Sequence, residues 1–236
     1  MRKRRKAIFP DPRLAGDDGL LCYGGNLEVE TLLEAYGNGI FPWPQEGLPL
    51  LWFSPPQRGV LDFDSIHWPR RFLRELKDES YSITFNRDFH QVIVECAAVP
   101  RSHETGTWIL PSMQKAYIAF HEAGYAHSVE CWHRGQLVGG LYGVYVGGVF
   151  SGESMFYKVS GGSKRCLFAL TQKLRASGLG WMDIQMVTPI LETFGGKYIS
   201  RDEYLTRLEA AHLNPQKLDF SGGSANVPVI EPASED

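Results

Sequence analysis

No stretch of this chain approaches the roughly 20 consecutive apolar residues that a bilayer-crossing helix needs, so a membrane-spanning reading is set aside. Secretion is not expected either. The opening Met1-Arg2-Lys3-Arg4-Arg5-Lys6 is basic, but only Ala7-Ile8-Phe9 separates it from Pro10, which leaves no apolar h-region. Cysteine is scarce: Cys22, Cys96, Cys131 and Cys166 are far apart and form neither a CxxC pair nor a Cys/His ligand spacing. Zinc is therefore not expected, and reduced thiols in a cytoplasmic protein are the simplest reading. None of the seven histidines pairs with another at metal-ligand spacing on a helix. The nucleophile and metalloprotease patterns G-x-S-x-G and H-E-x-x-H do not occur. Ser160-Gly161-Gly162-Ser163-Lys164 resembles a phosphate loop only loosely and lacks the required spacing, so helix N-capping by Ser163 is the default. Excess positive charge is absent as well. With a net charge of -3, a polyanionic partner would have to be met by a local patch.

What the chain does have is 236 residues, 43% of them hydrophobic, enough for one larger globular domain or two small ones sharing a core. Six tryptophans exceed what a minimal core requires. Val29, Leu32, Leu33 and Tyr36 recur at helical spacing over residues 28–36, and Gly37-Asn38-Gly39 stops that helix. Proline density in Ile40-Phe41-Pro42-Trp43-Pro44 and Leu51-Trp52-Phe53-Ser54-Pro55-Pro56 forbids regular helix and puts these aromatics on rigid loops or edge segments. Helices are expected near residues 68–77, around Phe89 to Cys96, and around Met113 to Phe120 with Ser112 as its cap. A strand is expected over 81–85. Three more are expected over 127–132, 136–146 and 148–156, broken at Arg134-Gly135 and Gly147-Gly148. A helix through Leu167, Leu170 and Leu174, a strand over 181–187 and a helix over 203–213 complete the pattern. From Ser221 the composition predicts a disordered tail. The division that follows is 1–63, 64–220 and 221–236.

Polar residues inside two strands stand out. Glu153 interrupts Ser151-Gly152-Glu153-Ser154-Met155-Phe156, and Asp183 and Gln185 interrupt Trp181-Met182-Asp183-Ile184-Gln185-Met186. Strand alternation puts Asp183 and Gln185 on one face and Ile184 on the other. Such carboxylates are paired, solvated or functional, because burying one unpaired is costly. His127 opens a strand and reads as a hydrogen-bonded structural residue.

Taken in order, a set of segments resembles one family. They include Gly24-Gly25-Asn26-Leu27, Gly39-Ile40-Phe41-Pro42-Trp43, Trp52-Phe53-Ser54-Pro55, Arg58 and Gly106-Thr107-Trp108-Ile109. Ala126-His127-Ser128-Val129-Glu130, Leu137-Val138-Gly139-Gly140-Leu141-Tyr142-Gly143, Gly152-Glu153-Ser154-Met155-Phe156, Ser163-Lys164 and Asp183-Ile184-Gln185 continue the series. No single segment is decisive, but the colinear set is specific. It resembles the leucyl/phenylalanyl-tRNA–protein transferases over about Gly19 to Leu208.

The resemblance implies an α+β fold: a small N-terminal domain followed by a GNAT-like acyltransferase domain whose mixed sheet is flanked by helices. It implies transfer of Leu or Phe, and sometimes Met, from aminoacyl-tRNA to proteins beginning with Arg or Lys, marking them for N-degron degradation. No metal and no dissociable cofactor is implied, and a monomer is the expected unit. Asp183 and Gln185 would form the catalytic relay, with Glu153 holding the donor end. A neutral amide is a poor base at pH 7, so Gln185 would orient the amine while Asp183 organises that amide or draws off the proton. A carboxylate there also suits a cationic acceptor.

Met155, Ile184, Leu170 and Leu174 would line or border the aminoacyl pocket. The last two replace phenylalanines of the family, a smaller wall that favours Phe over Leu by about 1–3 kcal/mol per misfit, unless both are simply core. Trp43 and Trp108 would shape the site of the terminal adenosine, where stacking is worth about 1–3 kcal/mol; a structural role competes. Arg70, Arg71, Arg74 and Lys77, with the basic N-terminus, are candidate phosphate contacts, or else a solvated face. The helix start at Gly161-Gly162-Ser163-Lys164 lies where a GNAT fold cradles its carrier's pyrophosphate, which would bring Ser163 and Lys164 to the tRNA 3′ end.

Two departures bear on substrate choice. After Gln185 the family carries Thr, a His-Leu pair and Ser-Leu-Gly, where this chain has Val187-Thr188-Pro189-Ile190-Leu191. Pro56-Gln57 replaces an acid–proline pair before Arg58. The rival readings are an acyl-CoA-dependent N-acyltransferase, against which stands the missing pyrophosphate loop, and a non-catalytic tRNA- or degron-binding protein.

Overall fold

Short strands separated by proline and glycine begin the chain. The computed structural model describes residues 8–99 and 107–220; the basic N-terminus, Gly106 and the expected tail lie outside them. Strand β1 (Leu20–Tyr23) leads to helix α1 (Val29–Gly37), then to β2 (Phe41–Pro42) and β3 (Leu51–Phe53), which form an antiparallel sheet in the order β1-β3-β2. The segment around Trp52, expected as loop or edge, is thus the middle strand of that sheet. Its prolines flank the strand instead of interrupting it, and Pro42 sits on an edge strand, where its missing N–H costs no ladder bond. Trp52 is buried and donates its indole N–H to the Gly24 carbonyl at 2.9 Å.

The larger sheet has seven strands: β4 (Gln57–Asp62), β5 (Tyr81–Phe85), β6 (Ala126–His133), β7 (Gln136–Val146), β8 (Val149–Tyr157), β9 (Trp181–Gln185) and β10 (Lys197–Ser200). Their order is β10-β4-β9-β8-β7-β6-β5, antiparallel throughout except for the parallel pair β8–β9. The helices are α2 (Arg70–Glu75), α3 (Phe89–Ala97), α4 (Pro111–Glu122), α5 (Gly162–Ala176), α6 (Pro189–Thr193) and α7 (Arg201–Leu213). The expected α+β architecture, a small sheet joined to a mixed sheet flanked by helices, is what forms. Strand β4, which ends just before residue 63, lies inside the larger sheet between β10 and β9.

Burial follows strand alternation. On β7, Tyr142 and Val144 pack with α1, α3 and α4 through Leu32, Tyr36, Val92, Ile93 and Tyr117. Leu141 packs on the opposite side with Leu167, Leu170 and Leu174 of α5. Tyr204, Leu205 and Leu208 of α7 cover Val60 and Val149. Helix α5 approaches β7 so closely that a β-carbon on Gly139 would lie 2.8 Å from the Gly162 Cα. Neither expected serine cap forms. Gly161, at φ 84°, precedes α5, and Ser163 is the second residue inside it; Pro111 opens α4 after Leu110, and Ser112 again lies inside. The cap positions themselves fall on Gly161 and Leu110, whose side chains offer no hydrogen-bond acceptor.

One buried carboxylate ties the sheet to α3. Glu130 is fully buried and accepts from Thr84 Oγ1 at 2.6 Å and Ser128 Oγ at 2.5 Å, and from the Arg87 and Asp88 N–H groups at 3.4 Å each. Glu130→Ala strands these donors and should lower the unfolding free energy by about 3 kcal/mol in urea titration.

Candidate active site

Two strand irregularities build the site. Between β4 and β9 the register pairs Val60 with Asp183 and Gly59 with Gln185, leaving Ile184 without a partner. Between β7 and β8 it pairs Gly143 with Gly152 and Tyr142 with Ser154, leaving Glu153 unpaired in the ladder. Each is a bulge, which re-aims side chains. Strands β8 and β9 pair at Ser151 and Asp183, and a cleft of about 350 Å³ is lined by the residues that follow on each strand.

The bulge on β9 overturns simple alternation. Gln185 adopts a left-handed backbone at φ 57°, and Ile184 and Gln185 both line the cleft. Asp183 does not. It is fully buried, pairs with Arg58 (Nε to Oδ1 2.9 Å, Nη2 to Oδ2 2.6 Å), and accepts from Tyr204 Oη and Ser151 Oγ at 3.0 Å each. Its Oδ1 also accepts the Gln185 backbone N–H at 2.9 Å. The structural ion pair left open by the sequence is therefore present, and the carboxylate is closed off from an incoming cationic acceptor.

Glu153 behaves differently. Its Oε1 accepts from Gln185 Nε2 and from Tyr36 Oη, both at 2.8 Å, and its Oε2 accepts from Tyr117 Oη at 3.4 Å. The two tyrosine hydroxyls also bond to each other. Burial pushes Glu153 up from 4.5 to about 8; the Tyr36 hydrogen bond and the Arg58 charge pull it back, and the negative charge of Asp183 adds to the rise. The Tyr36 and Tyr117 hydroxyls are raised by the same burial and by the charge of Glu153, so both remain protonated donors.

The remaining wall is apolar. Met155, Leu167, Leu170, Met182, Ile190 and Leu191 line it, with Trp43 and Trp108 at one side. The two indoles stack with centroids 5.4 Å apart and planes 16° from parallel. Among the residues singled out from sequence, Glu153, Gln185, Met155, Ile184, Leu170, Trp43 and Trp108 meet here. Leu174 is fully buried in the core and off the lining. Ser163 and Lys164 stand in the first turn of α5, also off the lining. Arg70, Arg71 and Arg74 are exposed on α2 and Lys77 just beyond it, with Arg71 bonded to Glu75 at 2.8 Å. Among the described residues, no three His, Cys, Asp or Glu gather to hold a metal, and no helix is long and apolar enough to cross a membrane.

Residues 60–209 match the model of the leucyl/phenylalanyl-tRNA protein transferase family, and residues 25–56 match the model of that family's N-terminal domain. The chain belongs to this family. A leucyl/phenylalanyl-tRNA–protein transferase of Stutzerimonas stutzeri (strain A1501) is 46% identical over 221 residues, covering 92% of this chain and 97% of the relative. The one from Nitratidesulfovibrio vulgaris (strain DP4) is 44% identical over 211 residues, covering 89% and 90%. Among solved structures, a GCN5-related N-acetyltransferase-like protein from Streptococcus suis aligns with TM-score 0.34 and 17% identity over 72% of this chain and 64% of that one. A C-terminal DUF2156 domain from Agrobacterium fabrum aligns with TM-score 0.40 and 12% identity over 81% and 60%. Both likenesses are too distant to place a ligand.

Within this family member, the residues that sequence left without a role are Arg58, Tyr36, Tyr117, Tyr204 and Ser151. Tyr36 is legible in the sequence only as an apolar marker of α1; its hydroxyl gains meaning once α1 packs against α4 and β7 and reaches Glu153. Gly59 faces the bulge: a β-carbon there would come within 2.9 Å of the Met186 carbonyl carbon and 3.1 Å of that of Gln185. Gly59→Ala should cost about 1–3 kcal/mol by pressing backbone on backbone, read from urea unfolding. The Glu153 shift has a sign that pH reveals. Below 4.5 folded and unfolded chains both hold the proton; from there to about 8 only the folded chain keeps it, so stability falls as pH rises. The stability of the wild type relative to Glu153→Gln should therefore decline across that window and level off above it; a difference independent of pH would contradict a proton-holding carboxyl.

Proposed function

We propose that this chain transfers Leu or Phe, and on occasion Met, from aminoacyl-tRNA to the N-terminal Arg or Lys of acceptor proteins, tagging them for N-degron degradation. It acts as a monomer in the cytoplasm. One observation carries the reading: in a member of this family, an apolar cleft ends on the hydrogen-bonded pair Glu153–Gln185. The apolar wall suits a Leu or Phe side chain, and the polar end suits an ester meeting an amine.

The reaction joins the acceptor's α-amine nitrogen to the ester carbonyl carbon and breaks the bond from that carbon to the ribose oxygen of the terminal adenosine. The amine loses one proton and the ribose oxygen gains one, so the enzyme returns to its starting state. With its NH₂ donated to Glu153, Gln185 turns its carbonyl oxygen to the attacking amine and orients it. The amide does not hold the proton. Glu153 does, in its ionised form, which becomes populated as the pH nears 8; a carboxylate whose pKa is about 8 is a stronger base than an ordinary one and also returns its proton readily. Asp183 positions Gln185 through its backbone N–H and takes no proton itself. Close placement supplies much of the remaining acceleration, since the ester is already activated.

Trp43 and Trp108 offer faces to the terminal adenosine, and Met155, Leu170 and Ile184 to the aminoacyl side chain. Leucine at position 170 leaves room that favours Phe. Arg70, Arg71, Arg74 and Lys77, with Lys164 and Ser163 at the start of α5, meet the tRNA phosphates, so donor binding weakens with salt.

The deciding experiment incubates the protein with radiolabelled Phe-tRNA and an Arg-terminated model protein. Label should pass to the acceptor, and Glu153→Gln should lower kcat by about 100-fold with the donor KM little changed. Turnover of acetyl-CoA in place of Phe-tRNA would favour a CoA-dependent enzyme, and binding of Phe-tRNA without transfer would favour a binding protein.

A further inference from the structure

Arg58 is 1% exposed and takes no part in the chemistry proposed above, yet it makes more polar contacts than a charge-neutralising partner needs. Its guanidinium lies between the Phe41 and Tyr204 rings, 4.6 Å from each centroid. One edge grips Asp183 with two hydrogen bonds, and Nη1 reaches the Gly39 carbonyl at 3.2 Å. Asp183 in turn holds the Gln185 N–H. Gly39 and Phe41 belong to the segment that carries Trp43, and the Phe41 ring lies 6.4 Å from the Trp43 ring. A single planar cation therefore touches the supports of two parts of the cleft lining, the Trp43 segment and Gln185.

We infer that Arg58 is a two-armed positioning residue, setting the Trp43 segment and the Gln185–Glu153 pair at a fixed separation for donor and acceptor. Three physical points support it. A buried ion pair adds little net stability over apolar residues of equal size, so its geometry is the more plausible reason for its presence. The rigid fork matches a carboxylate bidentately and stacks between rings, which a lysine cannot do. The left-handed backbone of Gln185 persists only where its surroundings over-determine it, and the Asp183 bond supplies that constraint.

The inference rests on the proposed transfer reaction, and its test separates the two arms. Tyr204→Phe removes the hydroxyl that bonds Asp183 and should lower kcat by about tenfold with the donor KM held. Phe41→Leu removes the ring on the Trp43 side and should raise the donor KM by about tenfold with kcat held. Arg58→Lys should impair both, by about 100-fold in kcat/KM. Steady-state transfer from Phe-tRNA and thermal melting are measured on each variant. A merely structural Arg58 predicts lower melting temperatures with wild-type kcat and KM, or kcat and KM shifting together in both arm variants; either result overturns the inference. If Arg58→Lys does not fold, the Tyr204→Phe and Phe41→Leu pair decides. A wild-type protein that transfers nothing sinks the functional proposal instead, whereas a working wild type with unsplit variants sinks only the role of Arg58.

Discussion

The backbone N–H of Gln185 donates to the side chain of Asp183, and much of the site's geometry depends on that bond. A regular strand would alternate its side chains, and Ile184 and Gln185 could not face one cavity. The bulge breaks the alternation, and a carboxylate inside the sheet satisfies the group it frees. That carboxylate is tolerable because Arg58 neutralises it and the Tyr204 and Ser151 hydroxyls complete its hydrogen bonds. Gly59, with no β-carbon, allows β4 to lie against the distorted strand. Each of these residues makes sense only in terms of the others.

Two acids near one cleft are thereby given opposite environments. Asp183 has a cation in direct contact. Glu153 has hydroxyls and an amide, and burial raises its pKa to about 8. The contrast is geometric: Asp183 is tied into an ion pair, whereas Glu153 has no cation in direct contact and meets only neutral donors. The smaller N-terminal part belongs to this electrostatic arrangement. Its helix α1 brings Tyr36 to Glu153, and its Phe41 and Gly39 contact Arg58, so the two parts of the chain share the site as well as a core.

Most elements of the fold were legible from periodicity. The helices α1, α3, α4, α5 and α7 and the strands β5 to β9 fall where the sequence predicts them: apolar spacing near 3.6 residues marks the helices, and apolar runs bounded by turns such as Arg134-Gly135 and Gly147-Gly148 mark strands, even where a strand such as β7 is buried on both faces. Strand β4 was not legible: it is buried over Arg58-Gly59-Val60-Leu61, and a buried arginine and a glycine disguise a central strand as a loop. Strands β1 and β10 are too short to show a period. The two missed caps, Ser112 and Ser163, were reasonable on composition, but a proline and a left-handed glycine took their places.

The chain alone singled out Glu153, Gln185, Met155, Ile184, Leu170, Trp43 and Trp108, which line one cleft in the fold, since ten or so colinear segments and polar residues within apolar strands are local properties. What it could not determine was which carboxylate would meet a cation and which only neutral donors. Asp183 and Glu153 look alike in sequence, each an acid among hydrophobic neighbours. Only the folded molecule brings Arg58, 125 positions away, onto one of them and Tyr36, 117 positions away, onto the other. Coulomb and desolvation energies depend on distances through space, which residue spacing along a chain does not encode.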